Sequence, residues 1–460
     1  MIRRAFLVTA LTFSVGCAST SPASSFSDTS QLVSARVGRQ ILWDQAGADD
    51  ARVAKYVHEL LAHDLTSDGA VQVALLNNKG LRATYENLSI AQADLVQAGL
   101  LQNPVLGGGI VFPVAGNAQT GGDISITQDF MSVFTLAARK RVAASALEAT
   151  KLRVGDAVIR LAFDVETAFY NLQSVQQAAA MRREILRAED AAADLARAQH
   201  DAGNINDLDL ANQEAAYAEI QADTLRSDAQ VATARETLAR LLGVWGADAN
   251  FKVSDKLPEL PKADASPEHL ESLAIGRRLD LEAVRADAQQ VSDALAMAKN
   301  FRFLGAPTVG GTFERSPEGF SVAGPNASLE VPIFDQKQAA IARLEGQLRA
   351  ALARESMLAV DIRSEVREAR ANLAAERALV ERYATSVVPL RQKIVALSQQ
   401  QYNGMLLGAY QLIQAKQSEV RAYSDFIEAL RDYWIASAAL ERATGGSLTS
   451  SGHTMMRGGK

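Results

Sequence analysis

The chain has 460 residues, and its 53 Asp and Glu outnumber its 47 Lys and Arg, which gives a net charge of −6 at pH 7. Nucleic-acid surfaces need clustered basic residues, and no Lys/Arg run follows the extreme N-terminus, so we expect no nucleic-acid partner. The one cysteine, Cys17, excludes a disulfide within the chain.

The N-terminus has the pattern of a bacterial export signal. Arg3 and Arg4 precede an apolar run of about 12 residues, which is too short to span a membrane. Residues 14–17, SVGC, resemble a lipobox, in which the cysteine becomes the lipid-carrying N-terminus. We therefore expect a signal peptide at 1–16 and a palmitate-type lipid anchor on Cys17. The alternative is an ordinary secretory signal in which Cys17 has no role.

An internal duplication covers most of the chain. Residues 104–130 align without a gap with 307–333 at an offset of 203, and Gly203 aligns with Gly404 at an offset of 201. Each copy holds a helix, a hairpin of two extended segments, a very long helix and a return helix. We predict a first repeat at 67–256, with its hairpin at 104–131, and a second repeat at 267–445, with its hairpin at 307–334. A linker at 257–266 joins the two repeats. A polar tether and equatorial segment at 17–66 precedes them, and a disordered tail at 446–460 follows.

The helices follow from apolar residues that recur with helical spacing. Gly203 and Gly404 are expected to turn the chain between helices, and Pro389 should kink the second long helix. The predicted helices are 71–100, 132–201 and 206–243 in the first repeat and 267–300, 334–403 and 408–443 in the second.

The extended segments have the length of membrane-crossing strands. Residues 123–130, DISITQDF, alternate apolar and polar side chains, and each segment of about 9–10 residues suits a tilted strand. Four strands cannot close a barrel, and lipid does not tolerate open sheet edges. Several copies must therefore share one barrel, and three copies would give 12 strands, enough for a conduit.

No catalytic or metal-binding pattern stands out. His58 and His63 are five residues apart, whereas a zincin helix needs HExxH with histidines four apart. His453, Met455 and Met456 could bind a soft metal, but a flexible tail is the simpler interpretation. We expect neither an enzyme nor a cofactor nor a metal site.

Three phrases, with the paired hairpins, resemble the TolC-type outer-membrane channel family. They are VQVALLNNKGLRATYENLSIAQADLVQAGLLQNP at 71–104, GNINDLDLANQE at 203–214 and GMLLGAYQLIQAKQ at 404–417. The resemblance implies a mainly α fold with a small antiparallel β part. In a homotrimer, the strands would complete a 12-stranded β-barrel in the outer membrane, and long coiled-coil helices would form an α-barrel through the periplasm.

The same resemblance implies a passive exit duct of a tripartite efflux system. Its partners would be a second and third copy of the chain, outer-membrane lipid, a periplasmic adaptor and an inner-membrane pump of the resistance-nodulation-division type. Drugs, metals or other small molecules would be the cargo. One alternative is the outer-membrane duct of a type I protein-secretion system, and another is a periplasmic coiled-coil scaffold lipoprotein without a pore.

The resemblance also implies that adaptor binding occurs at two helix turns. Apolar residues at these turns would be costly unless a partner covers them, although packing against neighbouring protomers in a closed tip is an alternative. The adaptor-binding tips would be Gly203, Asn204, Ile205, Asp207, Leu208, Gly404, Met405, Leu406, Leu407 and Gly408.

A periplasmic gate would lie beside these tips, at Asp209, Gln411 and Gln414. Some family members carry an aspartate ring at positions that fall on Gln411 and Gln414, and glutamine supplies no charge there. Asp207 and Asp209 could place acid near the entrance instead. Equally, both could be ordinary first-turn acids favoured by the helix dipole.

Overall fold

The computed structural model describes residues 21–39, 41–43, 50–114, 119–264 and 269–448. These residues are mostly helical, with one antiparallel sheet of four strands, so the predicted fold class is confirmed. The chain divides into two compact units. One, the sheet unit, includes residues 88–148 and 287–348, and the other, the helical unit, includes 26–87, 149–286 and 349–448. The predicted signal peptide and Cys17 lie outside the described residues.

The sheet unit joins the two hairpins into one sheet. Strands β1 and β2 form the first hairpin, β3 and β4 form the second, and β2 pairs antiparallel with β3. The sheet order is therefore β1-β2-β3-β4, with β1 and β4 at the edges. The strands are β1 (Val105–Val111), β2 (Gly121–Asp129), β3 (Pro307–Arg315) and β4 (Ser321–Leu329).

The helices are longer than an ordinary globular domain needs. Helix α5 alone has 71 residues, which corresponds to about 105 Å at 1.5 Å per residue. The helices are α1 (Ala23–Val37), α2 (Asp50–Leu61), α3 (Ser67–Asn77), α4 (Lys79–Ala98), α5 (Met131–Asp201), α6 (Asp207–Leu242), α7 (Leu270–Arg277), α8 (Leu279–Asn300), α9 (Gln338–Arg382), α10 (Val388–Asn403) and α11 (Ala409–Ala443). Among the described helices, none is both long and apolar enough to cross a membrane.

Each repeat breaks its first helix at an equivalent place, which the prediction of single helices over 71–100 and 267–300 missed. Asn78 separates α3 from α4 with ψ 116°, and Arg278 separates α7 from α8 with ψ 121°. A helix-terminating glycine packs against each break. A Cβ on Gly243 would lie 3.1 Å from Asn78 Cα, and one on Gly445 would lie 3.1 Å from the Arg278 nitrogen. The duplication is therefore visible in the packing of the helical unit.

The break at Asn78 is stabilised by side-chain amides that reach the end of α6. Asn77 Nδ2 donates to the carbonyls of Leu242 and Gly243 at 3.1 and 2.8 Å, and Asn78 Nδ2 donates to Leu241 O at 2.8 Å. These carbonyls have no partner within α6, because the last turn of a helix leaves its carbonyls free. Asn78 Oδ1 also accepts the Leu81 amide at 2.9 Å and thereby caps α4.

The second long helix is also interrupted. We predicted a continuous helix over 334–403 with a kink at Pro389, whereas α9 starts at Gln338 and a π-helical segment, Tyr383–Val387, separates it from α10. Pro389 lies in the first turn of α10, where its missing N–H costs nothing. The Val388 amide donates to Tyr383 O, five residues back.

Two segments predicted to be unstructured are packed. The serine-rich stretch after Cys17 was expected to be a tether, but Ala23–Val37 forms helix α1, in which Val33 is fully buried. The predicted disordered tail begins at Gly446, yet Gly446 is buried and the Ser447 amide donates to Arg36 O at 2.8 Å. Tertiary contacts overrode weak local signals in both places. The tail beyond Leu448 lies outside the described residues.

Two apolar clusters form the core of the helical unit. In the first, Leu152, Ile159 and Phe163 of α5 pack with Leu279 of α8 and Ala438 of α11. The second cluster joins α9 to α11, and its members include Ile362, Val366, Leu373, Ile427, Leu430 and Tyr433. Helix α11 belongs to both clusters and so fixes α5 and α9 in place.

Candidate functional site

The first candidate surface is the turn between α5 and α6. Gly203 has a φ of 72°, the left-handed conformation that favours glycine. The Asn204 amide donates to Gln199 O at 2.8 Å, which satisfies a carbonyl at the end of α5 in a Schellman-type arrangement. Asn206 then caps α6, because its side-chain oxygen accepts the Asp209 amide at 2.9 Å. Both helix ends at this turn are therefore satisfied locally.

The second candidate surface is the turn between α10 and α11, and it places its left-handed residue differently. Gly404 has φ −81°, whereas the next residue, Met405, has φ 60°. The Leu406 amide donates to Gln401 O at 2.9 Å, so the hydrogen bonding repeats that of the first turn. Sequence alignment with Gly203 pointed to Gly404, but a methionine occupies the strained position.

Apolar side chains project from both turns. Met405 and Leu406 are 94% and 82% exposed, and Leu208 beside the first turn is 68% exposed. Ile205 and Leu407 are half-buried. The other predicted tip residues, which are Gly203, Asn204, Asp207, Gly404 and Gly408, are also exposed. The two turns therefore present an apolar surface that the chain itself does not cover.

A polar contact joins the two helical hairpins near these turns. The Tyr410 hydroxyl of α11 donates to Gln199 Oε1 of α5 at 3.1 Å. Further along, Glu189 of α5 is only 1% exposed, and its two oxygens accept from Gln417 Nε2 of α11 and, at 2.9 Å, from Gln213 Nε2 of α6. We call these five residues the interhairpin clasp. Because the carboxylate is buried, losing either amide would leave a charged oxygen without its hydrogen bond, which is energetically costly.

The predicted gate residues lie on the surface of the same turns. Asp209, Gln411 and Gln414 are exposed. Gln411 has a local role, because its Oε1 accepts the Gly408 amide at 2.7 Å at the start of α11. Asp207 approaches His200, with 2.7 Å between Oδ1 and Nε2, so this first-turn acid has a local partner too.

His58 of α2 and His63, which follows that helix, do not converge on a metal site. His58 Nδ1 lies 3.1 Å from Asp248 Oδ1 at the surface. Within the described ranges no group of three or more His, Cys, Asp or Glu side chains could hold a metal ion. His453, Met455 and Met456 lie outside those ranges.

The sheet has one apolar and one polar face. Leu106, Ile124, Ile126, Val309 and Phe313 share the first face by register, and all five are exposed. The opposite face is polar and acidic. Asp123 pairs across the strands with Glu314, and Asp129 pairs with Thr308 on the same face. Direct cross-strand pairing of two carboxylates is unfavourable unless ions or water screen them.

Sequence reasoning missed the interhairpin clasp. Glu189 lies among alanines and charged residues on a helix whose surface carries many acids, so nothing in the local pattern marked it as buried. Tyr410 and Gln417 fall within the phrase that carried the family resemblance, but their partners on α5 depend on tertiary packing.

Residues 70–244 match the family model described as outer membrane efflux protein. The Campylobacter jejuni CmeC outer membrane channel is similar in structure, with a TM-score of 0.72 at 14% identity over 83% of this chain and 85% of that one. No curated protein sequence matches the chain significantly.

Two further solved structures have the same fold. A Pseudomonas aeruginosa membrane protein gives a TM-score of 0.70 at 20% identity, covering 82% of this chain and 92% of its own. The open state of the Neisseria gonorrhoeae MtrE outer membrane channel gives 0.65 at 17% identity, covering 83% and 89%. These matches confirm the TolC-type resemblance: the chain carries an outer membrane efflux protein domain and has the fold of the outer-membrane efflux channels.

Proposed function

We propose that the protein is the outer-membrane channel of a tripartite efflux system. It is a passive trimeric duct for drugs, metals or other small molecules, and it performs no chemistry. One observation carries the proposal: the sheet has an exposed apolar face and two open edges, β1 and β4. Lipid does not tolerate open edges, so three copies pair edge to edge and complete a 12-stranded barrel.

The two helix turns receive the periplasmic adaptor in this proposal. Met405, Leu406 and Leu208 are exposed apolar side chains at these turns, and an adaptor would bury them. The adaptor links the duct to an inner-membrane pump of the resistance-nodulation-division type, which selects the cargo. Asp209, Gln411 and Gln414 line the periplasmic gate. Cys17 carries the lipid that adds to the anchoring in the outer membrane.

The channel proposal is tested with the full-length protein extracted from outer membranes. Light scattering coupled to size exclusion should give the mass of three chains, and the trimer should form discrete ion-conducting steps in planar bilayers. A monomer without conductance would overturn the proposal and would favour the periplasmic scaffold.

The cargo and the partner are tested in cells. Deletion of the gene should raise the accumulation of a fluorescent efflux substrate, and the full-length gene should reverse this effect. A photo-crosslinking residue at Met405 should capture the adaptor, whereas the same residue at the exposed Leu225 of α6 should not. Loss of a secreted protein, with normal efflux, would instead identify a type I secretion duct.

The lipid anchor has its own measurement. Radiolabelled palmitate should enter the wild-type protein and not a Cys17→Ala variant. Label in both proteins, or in neither, would contradict the assignment of Cys17.

A further inference from the structure

A cavity of about 530 Å³ that opens to solvent lies in the helical unit, apart from the helix turns and the interhairpin clasp. The end of α1, the start of α3, the middle of α5 and the end of α11 surround it. Its volume is within the range of pockets that hold small organic ligands. Nothing in the proposed channel mechanism uses this cavity.

Aromatic side chains form part of its wall. The rings of Tyr170 on α5 and Trp434 on α11 are stacked, with centroids 5.5 Å apart and planes 24° apart, and Phe163 lies about two helical turns before Tyr170 on α5. Trp434 is held in place because its Nε1 donates to Pro258 O at 3.0 Å. An ordered aromatic wall attracts organic cations through its π electrons, and tryptophan does so best.

Carboxylates form the rest of the wall. Asp68 is neutralised by an ion pair with Arg39, and both line the cavity. Glu441 accepts only neutral donors at close range, the Ser447 hydroxyl at 3.5 Å and the Leu448 amide at 3.4 Å. Glu166 has neither an ion pair nor a hydrogen bond with the part of the chain that the structure describes. Among the described residues that line the cavity, the three carboxylates of Asp68, Glu166 and Glu441 thus outnumber the one cation, Arg39, and Arg277 also attracts Glu441.

We propose that this cavity binds a small organic cation, whose apolar body contacts Tyr170 and Trp434 and whose charge lies between Glu166 and Glu441. An inorganic divalent ion would not use the aromatic wall. An anion would meet an excess of negative charge. The proposal does not depend on conduction, because it concerns a cavity within one chain.

The binding should depend on pH in a defined direction. Burial, together with Glu441 and Asp68, raises the pKa of Glu166 to about 7, against the opposing effect of Arg39. Burial also raises the pKa of Glu441, although Leu448, Ser447 and Arg277 oppose this shift. A cation binds the ionised form, so affinity should approach its full value about one pH unit above 7 and should fall as Glu166 takes up a proton at lower pH, by up to about tenfold per pH unit.

The test uses the purified full-length protein in detergent and isothermal titration calorimetry with tetraphenylphosphonium. Its isosteric anion, tetraphenylborate, controls for hydrophobic partition into protein and micelle. We expect saturable binding of the cation at pH 8, with one site per chain, and no comparable binding of the anion. Lowering the pH to 6 should weaken cation binding about tenfold.

Matched variants locate the site. Glu166→Gln and Glu441→Gln keep side-chain size and should each weaken binding at least about tenfold, while Trp434→Leu should weaken it without changing the charge. Glu368→Gln, an exposed acid of α9 outside this cavity, should leave binding unchanged. Circular dichroism checks that each variant is folded. Equal binding of both ions, or unchanged affinity in Glu166→Gln and Glu441→Gln, would overturn the proposal while leaving the channel function untouched.

Discussion

Met405 combines two unfavourable features at one residue. Its φ of 60° lies in the left-handed region, which costs a residue with a Cβ about 1–2 kcal/mol. Its side chain is also 94% exposed to water, although it is apolar. The equivalent turn of the first repeat avoids the strain because Gly203 holds that conformation. A strained and exposed methionine does not stabilise the fold, so we infer that its side chain serves to bind a partner.

Met405→Gly should therefore stabilise the turn and weaken the partner contact. We expect a thermal unfolding midpoint that is higher by about 1 °C, from about 1 kcal/mol of relieved strain in a chain of this length, together with reduced capture of the adaptor. Circular dichroism and a pull-down with the adaptor measure the two effects. Gly404→Ala is the matched control for the strain effect alone, because Gly404 has φ −81° and an added Cβ would meet nothing closer than 3.5 Å. Unchanged adaptor capture by Met405→Gly would remove Met405 from the docking surface.

At the scale of single elements, the sequence predicted what local chemistry determines. The long helix of the first repeat was expected over 132–201 and runs from Met131 to Asp201. Its limits are readable because Gly203 ends it and alternating residues precede it. The strands were readable for the same reason, since residues 123–130 alternate in polarity and β2 covers Gly121–Asp129.

The breaks in helices were not readable, because their causes are distant in sequence. Asn78 could have continued a helix. Its side-chain amide instead donates to a free carbonyl at the end of α6, a partner that is distant in sequence. Arg278 is a good helix former, yet it ends α7, where its guanidinium pairs with Asp280 and with Glu365 of α9. The π-helical segment before Pro389 is a further case. The sequence shows the proline, but it does not show that the preceding turn, Tyr383–Val387, would widen to a π-helix.

The interhairpin clasp decides how firmly α11 is held to α5. Loss of the Tyr410 hydroxyl and of the Gln417 amide would remove the two clasp hydrogen bonds that join α11 to α5. A neutral hydrogen bond contributes about 0.5–1.5 kcal/mol, and one to a charged group about 1.5–3 kcal/mol. Because the duct would open by movement of these helices, weakening the clasp should favour the open state.

The double variant Tyr410→Phe/Gln417→Leu should accordingly show larger or longer openings in planar bilayers than the wild type. The expected shift is at least about tenfold in the ratio of open to closed channels, as a combined loss of about 2 kcal/mol or more implies. Lys416→Met is the control, because Lys416 pairs with Glu419 on its own helix and has no part in the clasp. If the double variant and the control conduct alike, the clasp does not restrain the gate.

At the scale of the whole molecule, the proposed trimer would give the acidic face of the sheet a role. Asp123, Asp129 and Glu314 lie on that face, and the strands place no Lys or Arg beside them there. An apolar face toward lipid requires the acidic face to line the lumen. Three chains would then contribute nine carboxylates to one passage. Such a ring repels anions and concentrates cations, and the field is strongest at low ionic strength.

The trimeric duct should thus be cation-selective, and Asp123→Asn/Glu314→Gln should reduce the selectivity. The reversal potential in a tenfold KCl gradient measures it, and the variant's potential should move toward zero, most clearly at low salt. Arg315→Gln serves as the control, since Arg315 pairs with Gly122 and so lies on the opposite face from Glu314. If Arg315→Gln moves the potential and Asp123→Asn/Glu314→Gln does not, the acidic face points to lipid. In that case the strands would have to close in the opposite sense, with Leu106, Ile124 and Phe313 in the passage.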